Sequence, residues 1–295
     1  MIGAVDIGGT KFAVGVVNES GEVLARAETP SHPELGLQPG LARMFEMLHA
    51  IQEETGQRLQ GIGIGCTGPV DPYTGQLGLI EFLPGWEWFN LVDAFEQEFQ
   101  VPVFIENDAD AATLGEAAWG AGKNAERMMY VTISTGIGAG LVIHGQLYRG
   151  AGGSHPEYGH HVIDFSGPKC FCGAYGCWES LASGTAMAKR SGGISAYEIC
   201  LAAQRGEAWA LSAVEQEGLY LGIGLANLIT LFVPDVIALG GGVMQSRTLF
   251  WDKITTTIQN SCGLVPFERT LLVPALLGKD VALAGAARVF IQRYG

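Results

Sequence analysis

The sequence predicts an α/β protein with two domains built on a duplicated βββαβα core. Two observations lead to this prediction: short apolar runs alternate with segments of helical periodicity, and the arrangement of the opening residues returns near the middle of the chain. The length of 295 residues is enough for one large or two medium domains. Because 48% of the residues are hydrophobic and only 16% are charged, general disorder is excluded.

The first half begins with a meander of three strands. Apolar runs separated by turn residues predict these strands at 2–7, 12–17 and 23–27. Apolar side chains then recur three and four residues apart from Leu41 to Ile51, which predicts an amphipathic helix. The remaining elements of the first copy are two short buried strands and an alanine-rich helix: 61–65, 101–105 and 109–119.

The second half repeats this pattern. Two strands flank a turn at 134–136, a third strand opens at Gly145, and a later strand ends in three glycines; the predicted strands are 128–133, 138–143 and 236–239. The last helix, 281–294, is expected to pack on the first domain and to make it discontinuous. The predicted division is therefore a small N-terminal domain, 1–115 plus 280–295, and a larger domain, 116–279.

The charge balance excludes nucleic acid and membrane surfaces as expected partners. Seventeen Lys and Arg residues stand against 30 Asp and Glu residues, so the net charge is −13, and such a chain is repelled by phosphate backbones and anionic lipids. The longest apolar stretch, 218–233, is shorter than the roughly 20 residues that cross a bilayer, and a buried helix is expected there. The N-terminus lacks the basic start of a signal peptide, which favours a cytoplasmic location.

A glycine turn follows the first strand. Its members are an acid, two residues without side chains, a hydroxyl and a cation: Asp6, Gly8, Gly9, Thr10 and Lys11. Successive backbone N–H groups in such a turn can bind an anion, and glycine lets a phosphate approach closely. A plain hairpin turn is the alternative. A second copy, which contains Thr135 and Gly136, favours two loops that hold one polyphosphate across a domain cleft.

Two common nucleotide motifs are excluded. Residues 63–68 have the glycine spacing of a dinucleotide site, but Pro69 stands where the helix should begin. The sequence also contains no P-loop motif.

Asn107 and Asp108 lie where a predicted strand gives way to a helix. The carboxyl end of a strand in an open α/β sheet is where ligands bind, so Asp108 could take a proton from a substrate hydroxyl while Asn107 binds neighbouring hydroxyls. Both residue types are also ordinary helix N-caps, and this pattern alone does not choose between the two roles.

The cysteines predict a structural zinc site. His160 precedes three cysteines that lie within eight residues, Cys170, Cys172 and Cys177, and three thiolates with one imidazole suit tetrahedral zinc. Buried free cysteines are the alternative, and His155 or His161 could replace His160 as the imidazole. Glu157 and Glu179 flank the site, where they could accept hydrogen bonds from sugar hydroxyls or be solvated surface acids.

These motifs together resemble the ROK family of sugar kinases and repressors, within the actin-like ATPase superfamily. The resemblance covers essentially the whole chain and rests on residues 6–11, 106–108, 133–160 and 170–179. It implies a two-domain, ribonuclease H-like fold with a cleft between the domains. Within the family, the chain is most similar to bacterial glucokinases.

The resemblance also implies roles for individual residues. Asp108 matches the general base that deprotonates the 6-hydroxyl of a hexose for attack on the γ-phosphoryl group of ATP. The sugar ligands would be Gly68, Asn107, Asp108, Glu157, His160 and Glu179. The ATP side would comprise Asp6, Gly8, Gly9, Thr10, Lys11, Thr135, Gly136, Gly240, Gly241 and Gly242, with Asp6 near Mg²⁺. The zinc ligands would be His160, Cys170, Cys172 and Cys177.

The sequence departs from the family pattern at two positions. Phe82 stands where many relatives have an Asn in a sugar-contacting loop, and Asp110 stands where the catalytic helix often has Asn. The similarity to glucokinases makes glucose the expected substrate, and the missing amide at Phe82 leaves fructose, mannose, allose or an N-acetylhexosamine as alternatives. Polyphosphate is an alternative donor to ATP. A sugar-responsive ROK regulator is the rival function, and the early position of the Asp6 motif leaves no room for the preceding DNA-binding domain of ROK repressors. Relatives are commonly dimers, so a homodimer is expected.

Overall fold

The computed structural model describes residues 1–294. It contains two five-stranded mixed sheets with helices packed on them. The strands are β1 (Ile2–Ile7), β2 (Lys11–Val17), β3 (Val23–Pro30), β4 (Gly61–Cys66), β5 (Val103–Asn107), β6 (Arg127–Ile133), β7 (Ile137–Ile143), β8 (Gln146–Leu147), β9 (Val236–Gly240) and β10 (Leu271–Pro274). The helices are α1 (Leu37–Thr55), α2 (Leu91–Phe99), α3 (Asp108–Trp119), α4 (Trp178–Ala182), α5 (Gly184–Arg190), α6 (Ala196–Gln204), α7 (Ala208–Phe232), α8 (Trp251–Ser261) and α9 (Val281–Tyr294).

The two sheets have the same strand order, which confirms the internal duplication. The first sheet is ordered β3-β2-β1-β4-β5, and the second, read in the same direction, is β8-β7-β6-β9-β10. In the first sheet β1 pairs antiparallel with β2 and parallel with β4, and β4 pairs parallel with β5. In the second sheet β9 pairs parallel with both β6 and β10. Each copy therefore brings the carboxyl ends of three parallel strands to one edge.

The last helix packs on the first sheet, as the sequence predicted. Phe290 and Ala286 of α9 lie directly against Gly61 and Gly63 of β4, where any side chain on β4 would overlap the helix. Glycine is needed at these positions because it lets the helix backbone approach the strand. Helix α3 also packs closely against α9 at Gly115, because glycine has no side chain there. Helix α9 therefore supports α3, the helix that begins at Asp108.

The described chain forms two compact units. The first comprises Met1–Asn124, Gly140–Pro156 and 276–294, and the second comprises Ala125–Ala139 and Glu157–Ala275. The first unit thus contains a segment from the middle of the chain that the predicted division placed in the larger domain. No helix among residues 1–294 is both long and apolar enough to span a bilayer.

Several elements differ from the sequence-based expectation. Strand β5 begins after Pro102, which has no N–H to donate to a neighbour, and continues through Asn107, so the strand passes into α3 without a loop. The third strand of the second copy is only two residues long. The predicted helix at 218–233 is the C-terminal part of the 25-residue helix α7, and its core-facing side chains are buried.

Candidate functional site

The first unit gathers its candidate residues at the carboxyl edge of the first sheet. Asp6 of β1 is level with Gly65 of β4, which in turn is level with Glu106 of β5. The next residues along these strands, together with the first turn of α3, form the edge. Asp6 and Asp108 therefore face the same small region, and Gly65 leaves space between them because a side chain there would touch both residues.

Asn107 and Asp108 begin helix α3. The side-chain oxygen of Asn107 accepts hydrogen bonds from the backbone N–H groups of Ala109, at 2.9 Å, and Asp110, at 3.3 Å. Asp108 Oδ1 accepts the Ala109 N–H at 2.8 Å, and the residue is partly exposed. Asn107 is thus the N-cap, as the ordinary interpretation predicted. The cap uses only its oxygen, and its amide nitrogen faces Gly68, where an added Cβ would lie 3.2 Å from that nitrogen.

Asp6 has an unusual electrostatic environment. Burial, and secondly the carboxylate of Asp108, raise the pKa of Asp6 from 3.8 to about 7, while Lys11 and Arg26 act in the opposite direction. Without a bound cation, ionisation of this carboxyl group is unfavourable. A cation bound nearby would favour the ionised form, so the group is suited to a position beside one. Asp6 therefore fits a position close to a metal ion.

The Gly8–Lys11 turn is held from outside by its neighbours. Its own hydrogen bond runs from the Gly8 N–H to the Lys11 carbonyl at 3.0 Å, and Ser31 Oγ donates to the Gly9 carbonyl at 2.6 Å. Phe82 packs against Gly9, where an added Cβ would come within 2.6 Å of the Phe82 Cβ. Thr10 and Lys11 are exposed at the tip, and the ammonium group of Lys11 lies 3.3 Å from Glu28.

The second unit places its two glycine turns side by side. The turn at Ser134, Thr135 and Gly136 follows β6, and the parallel neighbour β9 ends at Gly240 beside Thr132. Gly241 has a φ of 90° and lies against the backbone of Ile133, so only glycine fits there. A Cβ on Gly242 would lie 3.9 Å from Ser134 Oγ. The Gly184 N–H at the start of α5 donates to the Ser134 carbonyl at 2.8 Å and anchors the first turn.

The four predicted zinc ligands also come together in the second unit. Their ligand atoms, from His160, Cys170, Cys172 and Cys177, all lie within 4.8 Å of one another. Cys170 Sγ is 3.4 Å from His160 Nδ1, and Cys172 Sγ is 3.5 Å from Cys177 Sγ. Ligands of tetrahedral zinc are separated by roughly 3.6–3.8 Å. The cluster therefore fits a four-coordinate metal ion that has no open position.

The alternative imidazoles lie elsewhere. His155 pairs with Asp110 at 2.8 Å, and His161 Nδ1 lies 2.6 Å from the carbonyl oxygen of Tyr158. His160 uses Nδ1 toward the cysteines, so that its Nε2 is left facing Glu157 at 4.0 Å.

Glu179 connects the metal cluster to the glycine turn. It lies two residues after Cys177, and its Oε2 accepts the backbone N–H of Ile137 at 2.8 Å. A side chain at Gly136 would clash with the same oxygen. Burial is the main reason that the pKa of Glu179 is raised; the Ile137 N–H and His160 oppose the shift, and Glu157 adds to it. Glu157 is exposed, whereas Glu179 is partly buried.

Comparison with known proteins identifies the family. A family model described as the ROK family matches residues 2–293. The chain belongs to the ROK family. The xylose repressor of Bacillus spizizenii is 36% identical over 242 residues, which are 80% of this chain and 62% of the repressor. The glucokinase of Thermotoga maritima is 30% identical over 311 residues, covering 99% of this chain and 97% of that enzyme.

A solved ROK structure gives a similar result. The crystal structure of a ROK family glucokinase from Streptomyces griseus, in complex with glucose and AMPPNP, has a TM-score of 0.86 and 31% identity and covers 99% of both chains. Together with the two sheets of equal strand order, this similarity confirms that the ROK chain described here has the actin-like ATPase fold. The chain spans less than two thirds of the repressor's length but nearly all of each glucokinase.

A group of charged residues packed next to Asn107 and Asp108 in this ROK chain was not predicted from the sequence. Glu106, which is 2% exposed, pairs with Arg149 and Arg293, and Asp110 pairs with His155. The sequence marks Asp110 only as a departure from the family pattern. The signal that could have found this group is a pair of acids flanking Asn107 and Asp108 in an apolar segment, since buried acids require partners.

Proposed function

We propose that this ROK protein is an ATP-dependent hexose kinase that phosphorylates the sugar 6-hydroxyl, with glucose as the favoured substrate. The observation that carries the proposal is the meeting of Asp6, the Gly8–Lys11 turn and Asp108 at one sheet edge. A phosphate-binding turn beside a partly exposed carboxylate supplies the two things that phosphoryl transfer to a hydroxyl requires, namely positioning and a proton acceptor.

Asp108 is the general base in this mechanism. Its carboxylate takes the proton of the 6-hydroxyl as the oxygen forms a bond to the γ-phosphorus, and ADP leaves with the electron pair of the bond that breaks. The first turn of α3 supports this role because backbone N–H groups at a helix N-terminus stabilise a negative charge. The amide nitrogen of Asn107, which the cap leaves unused, is the proposed donor to a neighbouring sugar hydroxyl.

ATP binding is assigned to glycine turns. In the first unit these residues are Gly8, Gly9, Thr10 and Lys11, and in the second they are Thr135, Gly136 and Gly240–Gly242. Mg²⁺ supplied with ATP would neutralise charge on the transferring phosphoryl group. Asp6, whose ionised form is disfavoured by burial and by Asp108, would be held ionised by that cation, directly or through water.

The sugar side is assigned to Gly68, Asn107, Glu157, His160 and Glu179. Zinc in the cluster of His160, Cys170, Cys172 and Cys177 is proposed to be structural, because three cysteines and one histidine complete a tetrahedral coordination shell. By binding Nδ1 of His160, the metal would fix the ring and leave Nε2 to meet a sugar hydroxyl. The metal-bound cluster would likewise fix the start of α4, the helix that carries Glu179.

A sugar-binding regulator without kinase activity is the second candidate. The xylose repressor similarity favours it, although the repressor's length beyond the match is considerable. The two candidates differ at Asp108, since a regulator needs no general base, and one assay separates them.

The experiment is a panel of hexoses tested with Mg²⁺-ATP, in which ADP release is followed by a coupled assay and the sugar phosphate by mass spectrometry. Glucose is expected to give the highest kcat/KM, with fructose, mannose, allose and N-acetylhexosamines as comparisons. A parallel series replaces ATP with polyphosphate to identify the donor. Binding of a sugar by calorimetry without sugar-dependent ADP would favour the regulator, and the kinase proposal would then be abandoned.

A further inference from the structure

Two side-chain pairs join the segment before Glu157 to the segment that contains the proposed base. Arg149 pairs with Glu106, and His155 Nδ1 lies 2.8 Å from Asp110 Oδ2. Glu106 immediately precedes Asn107 and Asp108, and Asp110 follows them after one residue. The two pairs therefore flank the catalytic dipeptide on both sides. All of these residues lie within the first unit.

The residues between the two pairs form a tight loop. The Gly150 N–H donates to the Ser154 carbonyl at 2.7 Å, and the Gly153 N–H donates to the Gly150 carbonyl at 3.1 Å. Gly153 has a φ of 85° and lies against the ring of Tyr73, over which Arg293 stacks at 5.4 Å. A closed loop between two anchored ends has little freedom, so Arg149–His155 is held as one piece, called the clip here.

The two acids that pair with the clip are buried, so each of them requires a partner. Glu106 is 2% exposed and Asp110 is 1% exposed. Removing the partner of a buried charge leaves an uncompensated charge and is strongly unfavourable. Two buried polar atoms in this group, Asp110 Oδ1 and Arg149 Nε, have no hydrogen-bond partner among the described residues. The group therefore carries a desolvation cost that apolar side chains would avoid, which indicates a role other than stability alone.

The clip ends two residues before Glu157, one of the proposed sugar ligands. His155 is followed by Pro156, whose φ is restricted by its ring, and then by Glu157. Because only Pro156 lies between His155 and Glu157, a displacement of His155 also displaces the backbone at Glu157. The other end of the pair, Asp110, lies in the first turn of α3 with Asp108.

We propose that the Asp110–His155 pair is a positioning element for hexose phosphorylation, which sets the chain leading to Glu157 against the helix that carries Asp108. The inference rests on the proposed kinase function. His155 acts through Glu157 and Asp108 and does not itself touch the sugar. Loss of the pair frees the segment that leads to Glu157 from the helix that carries Asp108, whereas the glycine turns assigned to ATP belong to other segments.

The test is a kinetic comparison of His155→Ala, His155→Asn and the double variant Asp110→Asn/His155→Ala. An error of about 1 Å in substrate position can cost up to about 10²-fold, so His155→Ala is expected to raise the KM for the hexose and lower kcat/KM at least about tenfold. The KM for ATP is expected to stay within about twofold of wild type. His155→Asn, whose amide nitrogen can take the place of Nδ1, is expected to recover most of the loss.

The double variant keeps the test decisive if His155→Ala folds poorly, because it also removes the buried charge. Its hexose defect should equal that of the single variant, since both remove one interaction. His49→Ala is the matched control, as His49 forms an exposed pair with Glu98 at 2.7 Å in the same unit, and its kinetics should not change. Equal changes in both KM values, or no change in the hexose KM, would overturn the positioning role. A wild-type protein that phosphorylates no hexose would instead overturn the proposed function itself.

Discussion

Glu179 Oε2 accepts the backbone N–H of Ile137 at a distance of 2.8 Å. This hydrogen bond connects a carboxylate assigned to the sugar with the glycine turn assigned to ATP, and both lie in the second unit. Because a hydrogen bond to a charged acceptor is stronger than a neutral one, the position of the carboxylate depends on the conformation of the turn. One proposed sugar ligand and one proposed ATP-binding turn are thus connected within the second unit.

The first prediction concerns Gly136→Ala. The new methyl group would clash with Glu179 Oε2 and break its bond to Ile137, so the hexose KM is expected to rise about tenfold or more, as for loss of one hydrogen bond to a charged group. Steady-state kinetics with varied hexose measures this change. Gly263→Ala is the control, since a Cβ at Gly263 meets nothing within 4 Å and its backbone does not require glycine. An unchanged hexose KM would show that the hydrogen bond between Glu179 and the turn does not contribute to hexose binding.

The second prediction concerns Asp108→Asn. An amide cannot accept the proton of the hydroxyl, so kcat is expected to fall at least ~10²-fold while hexose binding, measured by calorimetry, stays close to wild type. Asp93→Asn is the matched control, because Asp93 is an exposed acid in the first turn of α2, a helix that also has an Asn cap. Near-normal turnover of Asp108→Asn would assign the base to another residue.

The third prediction concerns zinc. Elemental analysis of the purified protein is expected to find about one zinc per chain, and Cys172→Ser should lose most of it together with hexose affinity. Cys172 is exposed, so serine there does not bury a new hydroxyl. Cys262→Ser serves as the control because Cys262 lies outside the cluster, with Sγ 3.7 Å from the Ala226 carbonyl. A metal-free protein with full activity would contradict the structural zinc.

The fourth prediction is a pH dependence of stability at Glu217. Burial raises the pKa of Glu217 from 4.5 to about 7, although Arg190 lowers it through charge and a hydrogen bond. Because the folded-state pKa is above the unfolded value, the stabilising contribution of the protonated carboxyl is fully present below pH 4.5 and is lost as the pH rises through 7. Glu217→Gln cannot ionise at this position. The melting temperature of this variant minus that of wild type should therefore increase by at least about 2 °C as the pH rises from about 5 to about 8.

The control for this measurement lies on the same helix. Glu215 of α7 is exposed and pairs with Lys253 at 2.7 Å, and Glu215→Gln should show no such pH-dependent gain. A melting-temperature difference between Glu217→Gln and wild type that does not vary with pH would show that Glu217 is ionised throughout this range.

Much of the fold could be predicted from local patterns. The strand, turn and strand at residues 2–17 and again at 127–143 follow from apolar runs broken by glycine turns, and this recurrence correctly predicted the duplication. The four metal-cluster residues were predicted because cysteine and histidine in close spacing have few other common uses. Strand β10 and helix α2 were not predicted because both are short: a four-residue apolar run does not distinguish a strand from a helix, and a nine-residue helix gives only two repeats of its apolar spacing.

The sequence by itself determined the repeated strand–turn–strand pattern, the family resemblance and the identity of the candidate residues, because these depend on residue types at short spacings. Only the tertiary structure decided which distant residues meet: Asp6 with Asp108, Glu179 with Ile137, and Asp110 with His155. These pairs are separated by 102, 42 and 45 positions, as their numbers give. The physical reason is that strand register and helix packing bring such residues together, and neither is encoded in the local pattern around any one of them.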